Sequence, residues 1–237
     1  MTSLPITAKA GTEPRHAGGF ADVAAVSFDF GGTLVRPDTR PTTGQIADVL
    51  GITLDDARAQ MGKIAKRRLI SPGDLAAEIA LLHHHHALVG PLVQVLQGAR
   101  QRAATPDLFE DAVPILKLLR ARGFALYGMT NALGSSIPNE PPAFQALLDD
   151  VFASAETGAC KPEREAFAVV ERAVGLAPNR LLHVGDSVRA DVTGALAAGW
   201  HAAYVQRSGD TDAPAIPSHV PRIRTLAALA HLLPTHA

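Results

Sequence analysis

The chain has 237 residues, of which 47% are hydrophobic, so it can bury the core of one large domain or of a domain with an insert. The 22 lysines and arginines nearly balance 23 acidic residues. A formal net charge of -1 provides no overall field that would attract nucleic acid or an anionic membrane. Cys160 is the only cysteine, which excludes an internal disulfide and suits a reducing compartment.

The first segment, residues 1–20, is rich in small residues, proline and glycine and lacks the apolar centre of a signal peptide. We predict a flexible N-terminal tail there. Elsewhere no apolar run approaches the roughly 18 residues needed to span a bilayer. We therefore expect a cytoplasmic protein that binds neither membrane nor nucleic acid.

A β-rich run then leads to Asp29 and a glycine turn, within VAAVSFDFGGTLV. Residues 37–106 change to helical periodicity in TGQIADVLG, LDDARAQMGKIAKRRLI, GDLAAEIALLHHHHALV and PLVQVLQGARQR. They contain no good strand, so they predict a helical cap domain inserted after the first strand.

From Asp107 onward, strands and helices alternate, which predicts a parallel sheet with helices on both faces. The predicted strands are 125–130, 151–154, 181–185 and 202–205, and the predicted helices are 108–122, a short one after Pro142, 164–174, 188–198 and 226–233. The expected fold is α/β, with a Rossmann-like, doubly wound core made of residues 21–36 and 107–237.

Polar clusters follow four of these segments, and open α/β sheets bind ligands at the carboxyl ends of their strands. The clusters are Asp29, Thr130-Asn131, Lys161-Pro162, and Asp186 with Asp191. Singly, each is typical of a turn or helix cap. Together they form a coherent site, because a carboxylate that attacks a dianionic phosphoryl group needs cations to neutralise the phosphoryl oxygens.

The order of these motifs, D-x-x-G-T-L, Thr-Asn, Lys-Pro and G-D-x-x-x-x-D, resembles the haloacid dehalogenase superfamily, in the helical-cap subgroup that includes sugar-phosphate phosphatases. The resemblance covers nearly the whole chain. It implies that Asp29 attacks phosphorus and forms an aspartyl-phosphate, which water then hydrolyses.

The resemblance also implies the other roles in the site. Mg²⁺ would be bound by Asp29, the Gly31 carbonyl and Asp186, while Asp191 would hold a metal-bound water or orient Lys161. Phosphoryl oxygens would be bound by groups of the glycine turn and of the second cluster. The residues expected there are Gly32, Thr33, which would position the Asp29 carboxylate, Thr130 and the backbone amide of Asn131.

One departure from the family pattern is Gly31, which stands where phosphatases of the family carry a second aspartate as general acid and base. General acid-base catalysis contributes on the order of 10²–10⁴-fold, so a reactive substrate could still be attacked. Substrates with good leaving groups, such as sugar-1-phosphates or acyl phosphates, are our first explanation. Alternatively, a cap residue or the substrate supplies the proton, with His83 to His86 as candidates, or the chain is a binding or regulatory protein without turnover.

Two other branches of the family also lack the second acid. In phosphonoacetaldehyde hydrolases a cap lysine forms a Schiff base, but Lys63 and Lys66 do not have the spacing expected of that branch, and we interpret both as surface charges on an amphipathic helix. Dehalogenases need no metal and do without a pair like Gly185-Asp186. The sequence therefore predicts a Mg²⁺-dependent phosphohydrolase of a small phosphorylated metabolite. It leaves the substrate and oligomeric state open.

Overall fold

The computed structural model describes residues 20–207 and 214–235. All of the predicted N-terminal tail except Phe20 lies outside these ranges. Among the described residues, no helix is both long enough and apolar enough to cross a membrane.

Six parallel strands form a single sheet at the centre of the molecule. They are β1 (Ala25–Phe28), β2 (Ala125–Thr130), β3 (Asp150–Ala153), β4 (Leu181–Gly185), β5 (His201–Val205) and β6 (Arg222–Ile223). Their order is β3-β2-β1-β4-β5-β6. This is the doubly wound order, in which the sheet continues on opposite sides of β1, so the carboxyl ends of β1 and β4 border a crevice.

The two central strands are buried throughout, as expected for parallel strands that are covered on both faces. Only one polar residue interrupts each of these apolar strands, Ser27 in β1 and His183 in β4. The two are direct neighbours in the parallel register. A polar pair is thus built into the middle of the sheet.

Four helices lie between β1 and the next core helix. They are α1 (Thr42–Leu50), α2 (Leu54–Ile64), α3 (Pro72–Leu82) and α4 (Val89–Ala104). The threonine before α2 and the serine before α3 each accept a hydrogen bond from a backbone N–H in the first turn, which explains where these helices begin. Their apolar faces share a hydrophobic cluster that includes Ile46, Met61 and Leu92. We call residues 37–106 the helical insert.

The remaining helices cover both faces of the sheet, which confirms the predicted α/β fold. They are α5 (Ala112–Ala121), α6 (Ser154–Thr157), α7 (Arg164–Val174), α8 (Gly194–Ala197) and α9 (Leu229–Leu232). Residues of α5 and α9 belong to the cluster on one face, and residues of α7 and α8 to the cluster on the other.

Three details differ from the sequence prediction. The helix expected from Leu108 begins at Ala112, because Leu108 pairs with Val35 and the N–H of Phe109 donates to the Leu34 carbonyl. The helix expected over 188–198 starts with a π-helical segment, Val188–Thr193, before α8. The sixth strand was not predicted, and it is only two residues long.

The helical insert contacts the core on the side where the strands end. The Gly134 N–H, just beyond β2, donates to the Ala65 carbonyl at 2.7 Å. The Arg67 guanidinium forms an ion pair with Glu163 and donates to the Gly158 carbonyl at 3.3 Å. The segment after α2 is therefore held against the two core loops that carry the Thr-Asn and Lys-Pro motifs.

Candidate active site

Asp29 directly follows β1 and is fixed by the sheet. Its N–H donates to the Val184 carbonyl of β4 at 2.9 Å, which continues the strand pairing one residue beyond β1. Its side chain is 15% exposed. The carboxylate therefore stands at the crevice between β1 and β4, in a fixed position and with limited access to water.

Lys161 brings a buried positive charge to this carboxylate. Its Nζ donates to Asp29 Oδ1 at 2.8 Å and to Asp191 Oδ1 at 2.7 Å. Burial alone lowers the pKa of Lys161, but the two carboxylates outweigh burial and hold that pKa above its usual value. The ammonium group is thus a permanent cation next to Asp29.

The position of Lys161 is set by a contact that the sequence did not reveal. The Asn131 side-chain amide donates to the Lys161 carbonyl at 2.8 Å, and its Oδ1 accepts from the Lys161 N–H at 2.9 Å. The Asn131 side chain thus fixes the backbone of Lys161. Phosphate binding by the Asn131 backbone amide stays a prediction.

Asp191 is almost fully buried and both of its carboxylate oxygens accept hydrogen bonds. Oδ1 contacts Lys161, while Oδ2 accepts from the Ser187 N–H at 2.8 Å. Burial would raise the pKa of Asp191, but the Lys161 charge and the His183 hydrogen bond hold it well below its usual range. A methyl group on Gly185 would lie 2.3 Å from the Asp191 carboxyl carbon, so the glycine allows this approach. These contacts support the expected role in orienting Lys161.

His183 and Ser27 complete the support for Lys161, and neither was predicted from the sequence. His183 Nε2 lies 3.3 Å from Lys161 Nζ and 3.1 Å from Asp191 Oδ1, and its Nδ1 lies 3.1 Å from Ser27 Oγ. Burial and the Lys161 charge lower the pKa of His183, so the imidazole is neutral. The available signal was a single polar residue in each of two apolar strands.

Asp186 stands opposite Asp29, immediately after β4. Carboxylate oxygens of Asp29, Asp186 and Asp191 all lie within 4.8 Å of one another. Desolvation and the charges of Asp29 and Asp191 raise the pKa of Asp186 to about 7. Burial likewise raises the pKa of Asp29, although the Lys161 charge opposes this shift. Three crowded acids with one lysine therefore leave excess negative charge.

This excess fits a divalent cation. The Asp186 carboxylate lies against the backbone of Gly32, where a methyl group would stand 2.0 Å from Oδ2. The glycine thus leaves space for an acid that faces Asp29. Carboxylate and carbonyl oxygens are the ligands preferred by Mg²⁺. Asp29, Asp186 and the Gly31 carbonyl would be the protein ligands of this cation, because both Asp191 oxygens already accept hydrogen bonds.

Thr33 and Thr130, both expected at the phosphate site, lie in different surroundings. Thr33 is fully buried, but its Oγ1 has no hydrogen-bond partner among the described residues, so the expected contact with Asp29 is not formed in this structure. Thr130 is the last residue of β2 and is half-buried. It lines a cleft of about 740 Å³ together with Gly31, Phe30, Ile137 and Phe144. The cleft reaches the glycine turn at Phe30 and Gly31, whereas Asp29, Lys161 and Asp186 are not among its lining residues.

The structure also locates the candidates for the missing acid. Gly31 faces open space, with no atom within 4 Å of a methyl group placed there. His84, His85 and His86 are exposed, and His83 bonds to Gln60 within the helical insert.

The two lysines after Met61 behave differently. Lys63 is exposed, as predicted, whereas Lys66 is half-buried. Its pKa is lowered by burial, and the Asp29 charge is among those that pull this pKa back up. The interpretation of Lys66 as a surface charge is therefore wrong.

The family model for haloacid dehalogenase-like hydrolases matches residues 23–199. The chain belongs to this family of hydrolases. Among relatives, the hydrolase is 25% identical over 198 residues to phosphatase MT3486 of Mycobacterium tuberculosis, covering 80% of this chain and 90% of that protein.

Two solved structures show the same fold at low identity. The HAD-hydrolase YfnB of Bacillus subtilis, bound to magnesium, has a TM-score of 0.57 at 23% identity, covering 89% of this chain and 98% of that one. A 2-haloacid dehalogenase of Pseudomonas syringae pv. Tomato has a TM-score of 0.59 at 21% identity, covering 89% and 97%. These similarities show the fold alone, and the residues of the site must decide the reaction.

Proposed function

We propose that this hydrolase is a Mg²⁺-dependent phosphohydrolase that acts on a small phosphorylated metabolite through an aspartyl-phosphate on Asp29. One observation supports the proposal above all. Asp29 lies between a buried ammonium group and a second carboxylate that fits a divalent cation. Carboxylate attack on a phosphoryl dianion requires both positive charges.

In this proposal, Asp29 Oδ2 attacks phosphorus while Oδ1 is held by Lys161. His183 donates its Nε2–H to Asp191, which leaves one N–H of Lys161 for a phosphoryl oxygen. Mg²⁺ bound by Asp29, Asp186 and the Gly31 carbonyl would act as a Lewis acid toward the phosphoryl oxygens. The magnesium bound to the B. subtilis structure supports this choice of ion.

The proposed substrate is small and has a good leaving group. A cleft of about 740 Å³ lies within the usual size range of small-molecule sites, roughly 300–1,000 Å³. Gly31 provides no carboxylic acid for the leaving oxygen, and a good leaving group departs with little protonation. Sugar-1-phosphates and acyl phosphates are the classes that meet this condition.

The test is phosphate release by the full-length protein from a panel that contains both classes and primary alkyl phosphates. We expect Mg²⁺-dependent release that is lost with EDTA and in Asp29→Asn. A beryllofluoride complex in the wild type, but not in Asp29→Asn, would support the phosphoenzyme. Normal Mg²⁺ binding without phosphate release from any substrate would refute the proposal and favour a regulatory protein.

A second candidate function is hydrolysis of a carbon–phosphorus bond, favoured by the half-buried Lys66, whose backbone carbonyl accepts from the Cys160 thiol next to Lys161. A half-buried amine with a lowered pKa forms Schiff bases readily. Borohydride would then trap phosphonoacetaldehyde on Lys66 but not in Lys66→Met. If neither an adduct nor phosphate is formed from this compound, this candidate is eliminated.

A further inference from the structure

Two polar side chains lie inside the sheet, directly behind Lys161. Ser27 of β1 and His183 of β4 are partners in the strand register, and they are 1% and 0% exposed. The other residues of these two strands are apolar or glycine. Burying a polar group costs free energy unless it is hydrogen-bonded, so the partners of this pair indicate its role.

His183 contacts the groups that hold Lys161. Its Nε2 lies 3.1 Å from Asp191 Oδ1 and 3.3 Å from Lys161 Nζ, and Nζ lies 2.7 Å from the same Oδ1. In such a triangle, Nε2 and Oδ1 are only about 60° apart as seen from Nζ, less than the tetrahedral angle between two N–H bonds of an ammonium group. A single N–H of Lys161 therefore faces both atoms, and they compete for it if both are acceptors.

The position of the ring proton decides whether they compete. The imidazole is neutral, so one ring nitrogen carries a proton and the other accepts. With the proton on Nε2, the ring donates to Asp191, and Nδ1 accepts from the Ser27 hydroxyl at 3.1 Å. Lys161 then donates to Asp29 and Asp191 and keeps its third N–H for a phosphoryl oxygen. With the proton on Nδ1, an Nε2 lone pair would face the Asp191 carboxylate and draw the Lys161 N–H away from it.

We propose that His183 and Ser27 are positioning residues for Lys161, in which the Ser27 hydroxyl donates to Nδ1 and thereby holds the ring proton on Nε2, toward Asp191. The inference rests on the proposed phosphohydrolase function. The protonated ring nitrogen of a histidine is set by the hydrogen bond that the other nitrogen makes. A lysine whose N–H directions are fixed before the substrate arrives stabilises the transition state without reorganising.

The ring proton can be located in the wild-type protein without any turnover. NMR of isotopically labelled histidine distinguishes protonated from unprotonated ring nitrogens, and the His183 signal is identified by its loss in His183→Gln. We expect the proton on Nε2 in the full-length protein. A proton on Nδ1 would overturn the proposal.

A matched pair of variants tests the effect on Lys161. The amide of His183→Gln can place an N–H near the position of Nε2, whereas the shorter amide of His183→Asn reaches only as far as Nδ1. With Mg²⁺ and p-nitrophenyl phosphate, we expect kcat of His183→Asn to fall on the order of 10-fold, the lower end for partners that orient a site residue. His183→Gln should keep most of the wild-type kcat.

Ser27 acts through His183, so its contribution should depend on the histidine. We expect Ser27→Ala to lower kcat about threefold in the wild-type background and to cause no further loss when combined with His183→Asn, because coupled residues are not additive. Circular dichroism measures the folded fraction of each variant. A loss of kcat that follows this fraction would show that the two residues support only the fold.

The outcomes separate the two proposals. Equal kcat of His183→Asn and His183→Gln, or independent losses from Ser27→Ala and His183→Asn, would overturn the positioning role, while Mg²⁺-dependent phosphate release by the wild type would leave the proposed function intact. Absence of release by the wild type would instead refute the proposed function, and the NMR signal would still show which nitrogen of His183 carries the proton.

Discussion

Replacing Gly32 with alanine is expected to disable the proposed Mg²⁺ site while the fold is retained. The new methyl group would lie 2.0 Å from Asp186 Oδ2, whereas real contacts of this kind are essentially never shorter than 3.0 Å. The Asp186 carboxylate must therefore move by about 1 Å, the difference between these distances. Mg²⁺ requires near-ideal octahedral geometry at about 2.0–2.1 Å, so a ligand displaced this far no longer coordinates it properly.

We expect Mg²⁺ affinity to fall about 10- to 100-fold, equivalent to roughly 1.4–2.7 kcal/mol. Gly32 also has a φ of +76°, where alanine costs on the order of 1 kcal/mol of stability. Gly51 is a matched control in the helical insert, because its φ is +67° and no atom lies within 4 Å of an added methyl group. Gly51→Ala should show the same loss of stability with unchanged Mg²⁺ affinity.

Isothermal titration calorimetry with Mg²⁺ measures the affinity, and urea unfolding with EDTA measures the free energy of unfolding. Unchanged Mg²⁺ affinity in Gly32→Ala would refute the placement of Asp186 as a ligand. Equal losses of affinity in Gly32→Ala and Gly51→Ala would show that destabilisation, rather than the displaced carboxylate, is responsible.

Three further variants test other parts of the site. Gly31→Asp should raise kcat on primary alkyl phosphates on the order of 10²-fold, the lower end of general-acid effects, and equal gains on p-nitrophenyl phosphate, whose leaving group needs no proton, would contradict this reasoning. Lys161→Met leaves two acids unpaired, so phosphate release should vanish and urea unfolding should show a loss of about 3 kcal/mol. The variant Asp186→Asn removes a carboxyl group whose pKa is about 7 in the folded protein and 3.8 in the unfolded chain. This raised pKa destabilises the metal-free wild type, and the destabilisation grows as the pH rises from 3.8 to 7. With EDTA, the variant should therefore exceed the wild type in stability at pH 8 by about 1 kcal/mol after solvent screening, with a smaller gain at pH 5, and a gain that grows as pH falls would contradict the assignment.

The sequence predicted the part of the site that depends on local signals. Asp29 and Asp186 each follow an apolar run, and parallel strands bring their carboxyl ends to one edge of the sheet. Lys161 was placed with them by motif order, and its contact with Asp29 agrees with that prediction.

The remaining contacts depend on how distant loops meet. The two hydrogen bonds between the Asn131 side chain and the Lys161 backbone join residues 30 positions apart, and no local sequence pattern predicts them. His183 and Ser27 were not predicted from the sequence, because only the strand register shows that they face each other. Lys66 has the helical spacing of a surface charge, whereas in the structure it is half-buried where the insert meets the core.

The joint between insert and core has a consequence for turnover. The Arg67–Glu163 pair crosses it with side chains that are 39% and 44% exposed, and the core-loop residue Leu133 packs into the apolar cluster of the insert. The exposed pair contributes about 0–1 kcal/mol, so most of the resistance to hinging the insert away comes from the burial of Leu133. Raising the ionic strength weakens the Arg67–Glu163 pair further. At saturating substrate we then expect faster product release, together with weaker substrate binding.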